Sequence, residues 1–398
     1  MLPKSLKYIL FVLITFYGCK PDDCPPEPVV NNSPIIWTKA FQKTGLTSTP
    51  HLYNGNLIVG HTSSTTNNYI VYCVDPINGD SIWQTTIVTP FEFDPYDGES
   101  SQIYENKIVL STRKRMFVLN ANNGEIIWNY EDPNNYRGVW IDDGYVYIAD
   151  GIARSTSTMY RFNINSGVKE KVFTIDRAEY GSNYSPDLSM PVKWIHPSGD
   201  EILVLQNRTF GWFTDMESKM DILAWNLSAD SMLWYRESLD GSSSSSRPAI
   251  DGDKVYFFGS WNAYCINAAT GETIWNYDAG VSAGGDFNTA NILIVNDKLI
   301  VKQENEGMHA VNKETGERIW YNSDTEASPG LLTVHNDTIW FSSAGVFGID
   351  ANTGEKLIDD WNPEYGSWIF AVAGHPTNGT IFTSDAQFLY CLDPKKMK

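Results

Sequence analysis

Short runs of apolar and polar residues alternate along the chain, broken by Gly, Asn and Asp, and no stretch carries the 3.6-residue period of an amphipathic helix. FFGSWNAYCIN at 257–267 is one such run; AATG then turns the chain and ETIWNY runs back. The pattern predicts a β-hairpin whose loop needs a positive φ at Gly271. Its core phrase, NAATGETIW at 267–275, recurs as NKETGERIW at 312–320, NANNGEIIW at 120–128, DPINGDSIW at 75–83 and DANTGEKLI at 350–358. Gly79, Gly124, Gly167, Gly316 and Gly354 hold the place of Gly271, and four residues later stands Trp83, Trp128, Trp275, Trp320 or Ile358. Trp234 holds the same place after Asp230. A large ring at a fixed turn offset predicts a wedge between neighbouring sheets.

A second hairpin precedes each phrase, as in PAIDGDKVYFFG at 248–259 and LLTVHNDTIWFSS at 331–343. Two hairpins per unit, with Trp83 to Trp128 and Trp275 to Trp320 both 45 residues apart, predict four-stranded propeller blades. Units fall near 48–84, 99–130, 137–175, 190–237, 246–278, 290–322 and 328–361. The last segment, 368–393, has three strands, and PIIWTKAF at 34–41 supplies a fourth with Trp37 at the wedge position. The expected fold is all-β: an eight-bladed β-propeller of four-stranded antiparallel blades over 34–398, closed by the N-terminal strand completing the C-terminal blade. The propeller is expected to be monomeric.

Composition narrows the function classes. A net charge of −19 and a pI near 4.6 repel phosphate backbones, and the one basic cluster, STRKR at 111–115, is short. Nucleic-acid binding is excluded on that ground. Of five cysteines, Cys73, Cys265 and Cys391 lie in matching contexts (VYCVD, AYCIN, LYCLD), so they occupy one equivalent site in separate sheets and read as small buried residues, not disulfides.

The first 18 residues pair two lysines with an apolar run too short to span a bilayer, the layout of a secretory signal peptide. The run ends in Gly18-Cys19, which is similar to a bacterial lipoprotein box, and the resemblance implies a lipid on Cys19. Lys20, Asp22 and Asp23 resemble the surface-export signal of Bacteroidota-type lipoproteins. Residues 19–33 are proline-rich and predict a stiff tether of about 3 Å per residue. The membrane is then met through the lipid only, and the outer membrane, with its cell-surface side, is the expected location.

The D/N-x-x-x-G-x-x-x-W phrase and the blade count resemble the pyrroloquinoline-quinone-type (PQQ-type) repeat family. That resemblance covers nearly all of 34–398 and is specific for fold, not function. It implies two branches: quinoprotein dehydrogenases, which bind PQQ and calcium, and non-enzymatic lipoproteins, among them the propeller subunit of the outer-membrane barrel-assembly machinery. No two cysteines are adjacent, unlike the alcohol-oxidising branch. The plan of anchor, tether and bare propeller matches the lipoprotein branch. The expectation is therefore a non-catalytic scaffold without cofactor or metal, with the PQQ- and calcium-dependent dehydrogenase as the alternative.

Loops between strands one and two and between three and four share one face and are short and uniform, as at Asn54-Gly55, Asp143-Gly144 and Asp251-Gly252. The opposite face carries long, varied connections that hold Phe91, Phe93, Tyr96, Tyr180, Tyr184, Phe210, Trp212 and Phe213 beside acids. Aromatic platforms of this kind suit a glycan or a protein partner, or else pack within their own loops. DPYDGES at 94–100 only loosely resembles a calcium loop and reads as an acidic turn. His51 and His61 are expected to face each other across the first hairpin, without forming a metal site.

Overall fold

A computed structural model describes residues 33–41, 45–63, 68–88, 101–111, 115–131, 136–150, 155–176, 186–209, 219–241, 246–259, 262–279, 291–303, 307–325, 331–342, 345–361 and 370–397. Pro34–Lys398 forms one compact unit, separate from Met1–Ser33. Eight antiparallel sheets follow one another in that unit as the blades of a propeller. Blade two shows the plan: Ser101–Tyr104, Lys107–Ser111, Arg115–Asn120 and Ile126–Glu131 pair in chain order. Blades three to seven repeat it, from Tyr136–Asp176 to Thr333–Trp361.

Blade eight takes three strands, Phe370–Gly374, Ile381–Ser384 and Phe388–Leu392, from the end of the chain. Its fourth is Ile35–Ala40, in register with Thr38 opposite Tyr390. The ring is thus closed by the N-terminal strand, so no blade is left with a missing partner.

The middle strands are buried on both faces, which is why they read as unbroken apolar runs. Lys107–Ser111 is buried at every position. The core lies between blades: Val204 and Ile222 of blade four pack in one cluster with Val255, Phe257 and Ile266 of blade five.

The phrase acts as both knob and socket. In six of the turns the Asp or Asn side chain accepts the N–H two residues on, as Asn312 does from Glu314 at 2.8 Å, while the glycine N–H returns to the same residue's carbonyl. Gly271 and Gly354, at φ +72° and +76°, then lie flat under the tryptophan of the preceding blade. A Cβ on Gly271 would come 2.8 Å from the Trp234 ring, and one on Gly354 would come 2.6 Å from Trp320. Five indoles, Trp37, Trp128, Trp234, Trp275 and Trp320, donate to the carbonyl three residues before the socket glycine of the next blade. Two residues beyond the wedge, Lys39, Thr85, Arg236 and Asn322 donate to the socket glycine's own carbonyl.

Each outer strand also carries a β-bulge beside its wedge, leaving Ile36, Ile82, Ile127, Val172, Leu233, Ile274, Ile319 or Leu357 without a partner on strand three. The extra residue twists the exposed edge and turns the following ring toward the next blade. Two seams depart from the rule. Between blades three and four Phe173 stacks on Trp225 at 4.7 Å, and between seven and eight Ile358 shares a cluster with Met397.

The first strand of blade one is split. Gly45–Thr47 and His51–Tyr53 both pair with Asn56–Ser63, with Ser48 to Pro50 between them. His51 therefore lies opposite Ile58 and His61 opposite Thr47, so the expected His51–His61 pairing does not form. Cys73, Cys265 and Cys391 are free, buried and in three different blades. Burial pushes their thiols up to about 11, 12 and 11, which leaves them unreactive near neutral pH.

Candidate functional site

Strand direction fixes two unlike faces. The first-to-second and third-to-fourth turns share one of them. The second-to-third loops and the blade-to-blade connections leave from the other. All eight candidate aromatics, from Phe91 to Phe213, and the 94–100 acidic turn lie outside the described residues, as do Cys19, Lys20, Asp22 and Asp23. What is described on the variable face is its floor, the strand ends from which the loops depart.

That floor is unusually polar for a buried region. Asp150, Asp187, Gln206, Asn207, Arg208, Asp221, Asp240, Lys302, His309 and Asp385 are all buried there. Nothing in the alternation pattern set these positions apart from ordinary strand ends. Buried polar groups need partners, and here they find them both within a blade and across seams. The Asp240 carboxylate lies against Gly259 of the next blade, where a Cβ would come 2.1 Å from its Oδ2, and accepts the Tyr264 hydroxyl at 3.0 Å. Burial, with Asp240 alongside, raises the Tyr264 phenol and keeps it a donor. Tyr390 donates to Asp385 at 2.6 Å in blade eight, and Tyr277 meets His309 Nδ1 at 2.8 Å between blades five and six.

Blade four carries the densest part. Arg208 Nη2 donates to Asp187 Oδ2 at 2.7 Å, with side chains 6% and 1% exposed, so the pair is desolvated and gains from geometry, not from solvent-screened attraction. Arg208 N–H also donates to the Asp187 carbonyl at 2.8 Å, and Asp187 N–H to Asn207 Oδ1 at 3.1 Å. Leu188 N–H reaches Ser157 of blade three at 3.2 Å. Asn207 continues to the Tyr235 hydroxyl, and that hydroxyl to Asp221. The network clamps the segment at 187–189 against the end of strand Glu201–Thr209. It therefore roots side by side the two connections that hold Tyr180 and Tyr184 on one hand, and Phe210, Trp212 and Phe213 on the other.

One histidine–hydroxyl pair stands out on the described residues. His51 Nε2 meets Ser101 Oγ at 3.0 Å, but burial lowers this imidazole to about 4, too weak a base for nucleophile activation at neutral pH. Among the described residues no group of three or more His, Cys, Asp or Glu could hold a metal.

Eight four-stranded blades joined by an Asx-turn, glycine socket and tryptophan wedge define a propeller of the PQQ-type repeat class. A family model described as outer membrane protein assembly factor BamB matches residues 33–173 and 218–396. The chain belongs to that family. No curated protein matches the chain. Among solved structures it is similar to BamB from Moraxella catarrhalis, at TM-score 0.60 and 15% identity over 90% of this chain and 96% of that one. A europium-containing methanol dehydrogenase matches at TM-score 0.65 and 12% identity over 88% and 84%. The computationally designed Ika8 protein matches at TM-score 0.61 and 12% identity over 90% and 99%. At these identities a natural assembly factor, an enzyme and a design share one fold, so the likeness speaks to fold alone.

Proposed function

We propose that the protein is a lipid-anchored propeller of the cell envelope that docks a protein partner through its variable face and catalyses no reaction, and that it serves in outer-membrane protein assembly. One observation carries the reading. The stretch that the family model leaves unmatched, 174–217, holds Tyr180, Tyr184, Phe210, Trp212 and Phe213, and its strand ends are the ones clamped by Asp187 and Arg208. Five aromatics gathered in the internal stretch that departs from the family pattern, on connections rooted at one buried clamp, are what a rigid scaffold uses to present a docking surface. A glycan would use the same aromatics by stacking.

The test is a crosslinking pull-down of the full-length protein from intact cells, with bound proteins identified by mass spectrometry. Recovery of the barrel-assembly machinery supports the assembly role on the periplasmic side. Recovery of surface transport or glycan-uptake proteins in its place overturns it in favour of ligand capture outside the cell. Cys19→Ser should move the protein out of the membrane fraction; unchanged fractionation removes the anchor from the reading. The dehydrogenase alternative stands or falls on whether added PQQ and calcium together raise the melting temperature and support dye reduction.

A further inference from the structure

We infer that the sector of the propeller around Pro34, formed by Ile36 and Ile77 with Lys395 and Lys396, rests on the anionic headgroups of the membrane that holds the anchor, so that the variable face points away from it. The inference rests on the proposed lipid on Cys19 and replaces the expected lipid-only contact with an orientation and a contact surface.

The geometry begins with where the chain leaves the ring. Asp393 N–H donates to the Pro34 carbonyl at 2.8 Å, and Trp37 donates to Pro76 of blade one at 3.0 Å. The tether therefore departs beside the third-to-fourth turns, on the face opposite the variable loops. Residues 20–33, at about 3.1 Å per residue for a proline-rich tether, reach about 43 Å, so this rim is within reach of the lipid.

At this exit two neighbouring turns break the repeat, and both breaks favour a membrane. The third position of the turn is Asn122, Asn165, Ala269, Glu314 or Asn352 in five blades, but in blade one it is Ile77, 77% exposed. Its neighbour across the seam is Ile36, 51% exposed. The residue after the socket glycine is acidic in five blades, at Asp80, Glu125, Glu272, Glu317 and Glu355. Blade eight has no such turn. Its place is taken by the short helix Pro394–Lys396, capped by the Asp393 side chain and pinned by buried Met397, which presents Lys395 and Lys396 to solvent. The Ile77 turn keeps its own acid, Asp80, which Lys39 faces, and Asp393 is taken up in capping the helix. In a chain of net charge −19, the added lysine pair beside two exposed aliphatic side chains makes this rim complementary to an anionic interface.

The test uses the full-length lipoprotein with Cys24→Ser, reconstituted in vesicles of phosphatidylethanolamine and phosphatidylglycerol containing headgroup-spin-labelled lipid. A fluorophore is placed at Ile77→Cys, at Val168→Cys on the same face of blade three, or at Val88→Cys at the far end of the blade-one outer strand. Ile77 should be quenched at least about threefold more than Val88 and Val168, and Lys395→Glu with Lys396→Glu should abolish the difference, since each lysine near an anionic surface contributes measurably to partitioning. Equal quenching at all three sites, or stronger quenching at Val88, overturns the inference. Should the protein fail to associate with vesicles through a lipid, the anchor reading fails separately. Acyl-free Cys19→Ser protein is then floated with the same vesicles at low salt. Flotation reduced roughly tenfold by the two charge reversals upholds the surface; flotation absent or insensitive to them overturns it.

Discussion

Trp320 lies over Gly354 so closely that a Cβ on the glycine would come 2.6 Å from its ring, while the indole N–H donates to the carbonyl of Ala351, in the same turn as the glycine, at 3.2 Å. One residue is the wedge of blade six and the other the socket of blade seven, and the pair is repeated around the ring. Gly354→Ala combines a steric clash with an L residue at φ +76°, and should cost about 2 kcal/mol or more. Trp320→Ala, at a site 8% exposed, should cost about 3–5 kcal/mol. Because both act on one contact, the double variant should fall well short of the sum in urea denaturation. Full additivity would mean that knob and socket are independent.

Closure makes a second prediction. Deleting residues 34–41 removes the outer strand of blade eight, the Trp37 wedge and the Phe41 ring packed at 4.4 Å on His61. Both ends of the ring then expose strand edges, and the whole propeller, not blade eight alone, should melt at a lower temperature. A melt unchanged by the deletion in calorimetry would show that the ring does not depend on this strand.

The blade count, the closing strand and the wedge positions were legible because each repeats, and repetition turns a weak local pattern into a strong one. Gly79 and Trp83 in one phrase reveal a turn and a wedge. They do not reveal that Trp83 serves the glycine of the next phrase, since that pairing exists only once the blades are stacked. The split of the first strand at Ser48–Pro50 was hidden for another reason: alternation fixes the face of a residue but not its register, so His51 and His61 looked like partners. The polar floor was the least legible. Asp187 and Arg208 are 21 positions apart in unrelated contexts, and only the pairing of segment 187–189 with the end of a blade-four strand brings them together.

Variants at Trp212 and Phe213 separate docking from packing. Trp212→Ala with Phe213→Ala should weaken partner capture at least tenfold while leaving the melting temperature within a few degrees, since interface aromatics contribute about 2 kcal/mol or more each to binding. Arg208→Met, which leaves Asp187 buried beside an uncharged side chain, should instead lower stability by about 3–5 kcal/mol. If the aromatic variants lose stability as Arg208→Met does, they are part of their own loop's packing.

The ring-closing seam should also be sensitive to acid. His61 is fully buried at the junction of blades one and eight, stacked on Phe41, flanked on its own sheet by Ile70 and facing the Ala386 backbone. Burial lowers its pKa from 6.5 to about 4, against a smaller opposing contribution from Ala386. The unfolded chain takes up its proton near 6.5 and the folded chain only near 4, so over that window the unfolded state binds more protons. Stability is then fully present above about pH 6.5 and falls as pH drops toward 4, by up to about 3 kcal/mol from this residue. His51, lowered to about 4 by burial, acts in the same direction. His61→Phe should flatten the fall in urea midpoint between pH 7 and pH 4.5 by roughly half, with His51→Phe removing much of the remainder. A variant whose midpoint drops as steeply as the parent's would assign the acid sensitivity of the seam to other groups.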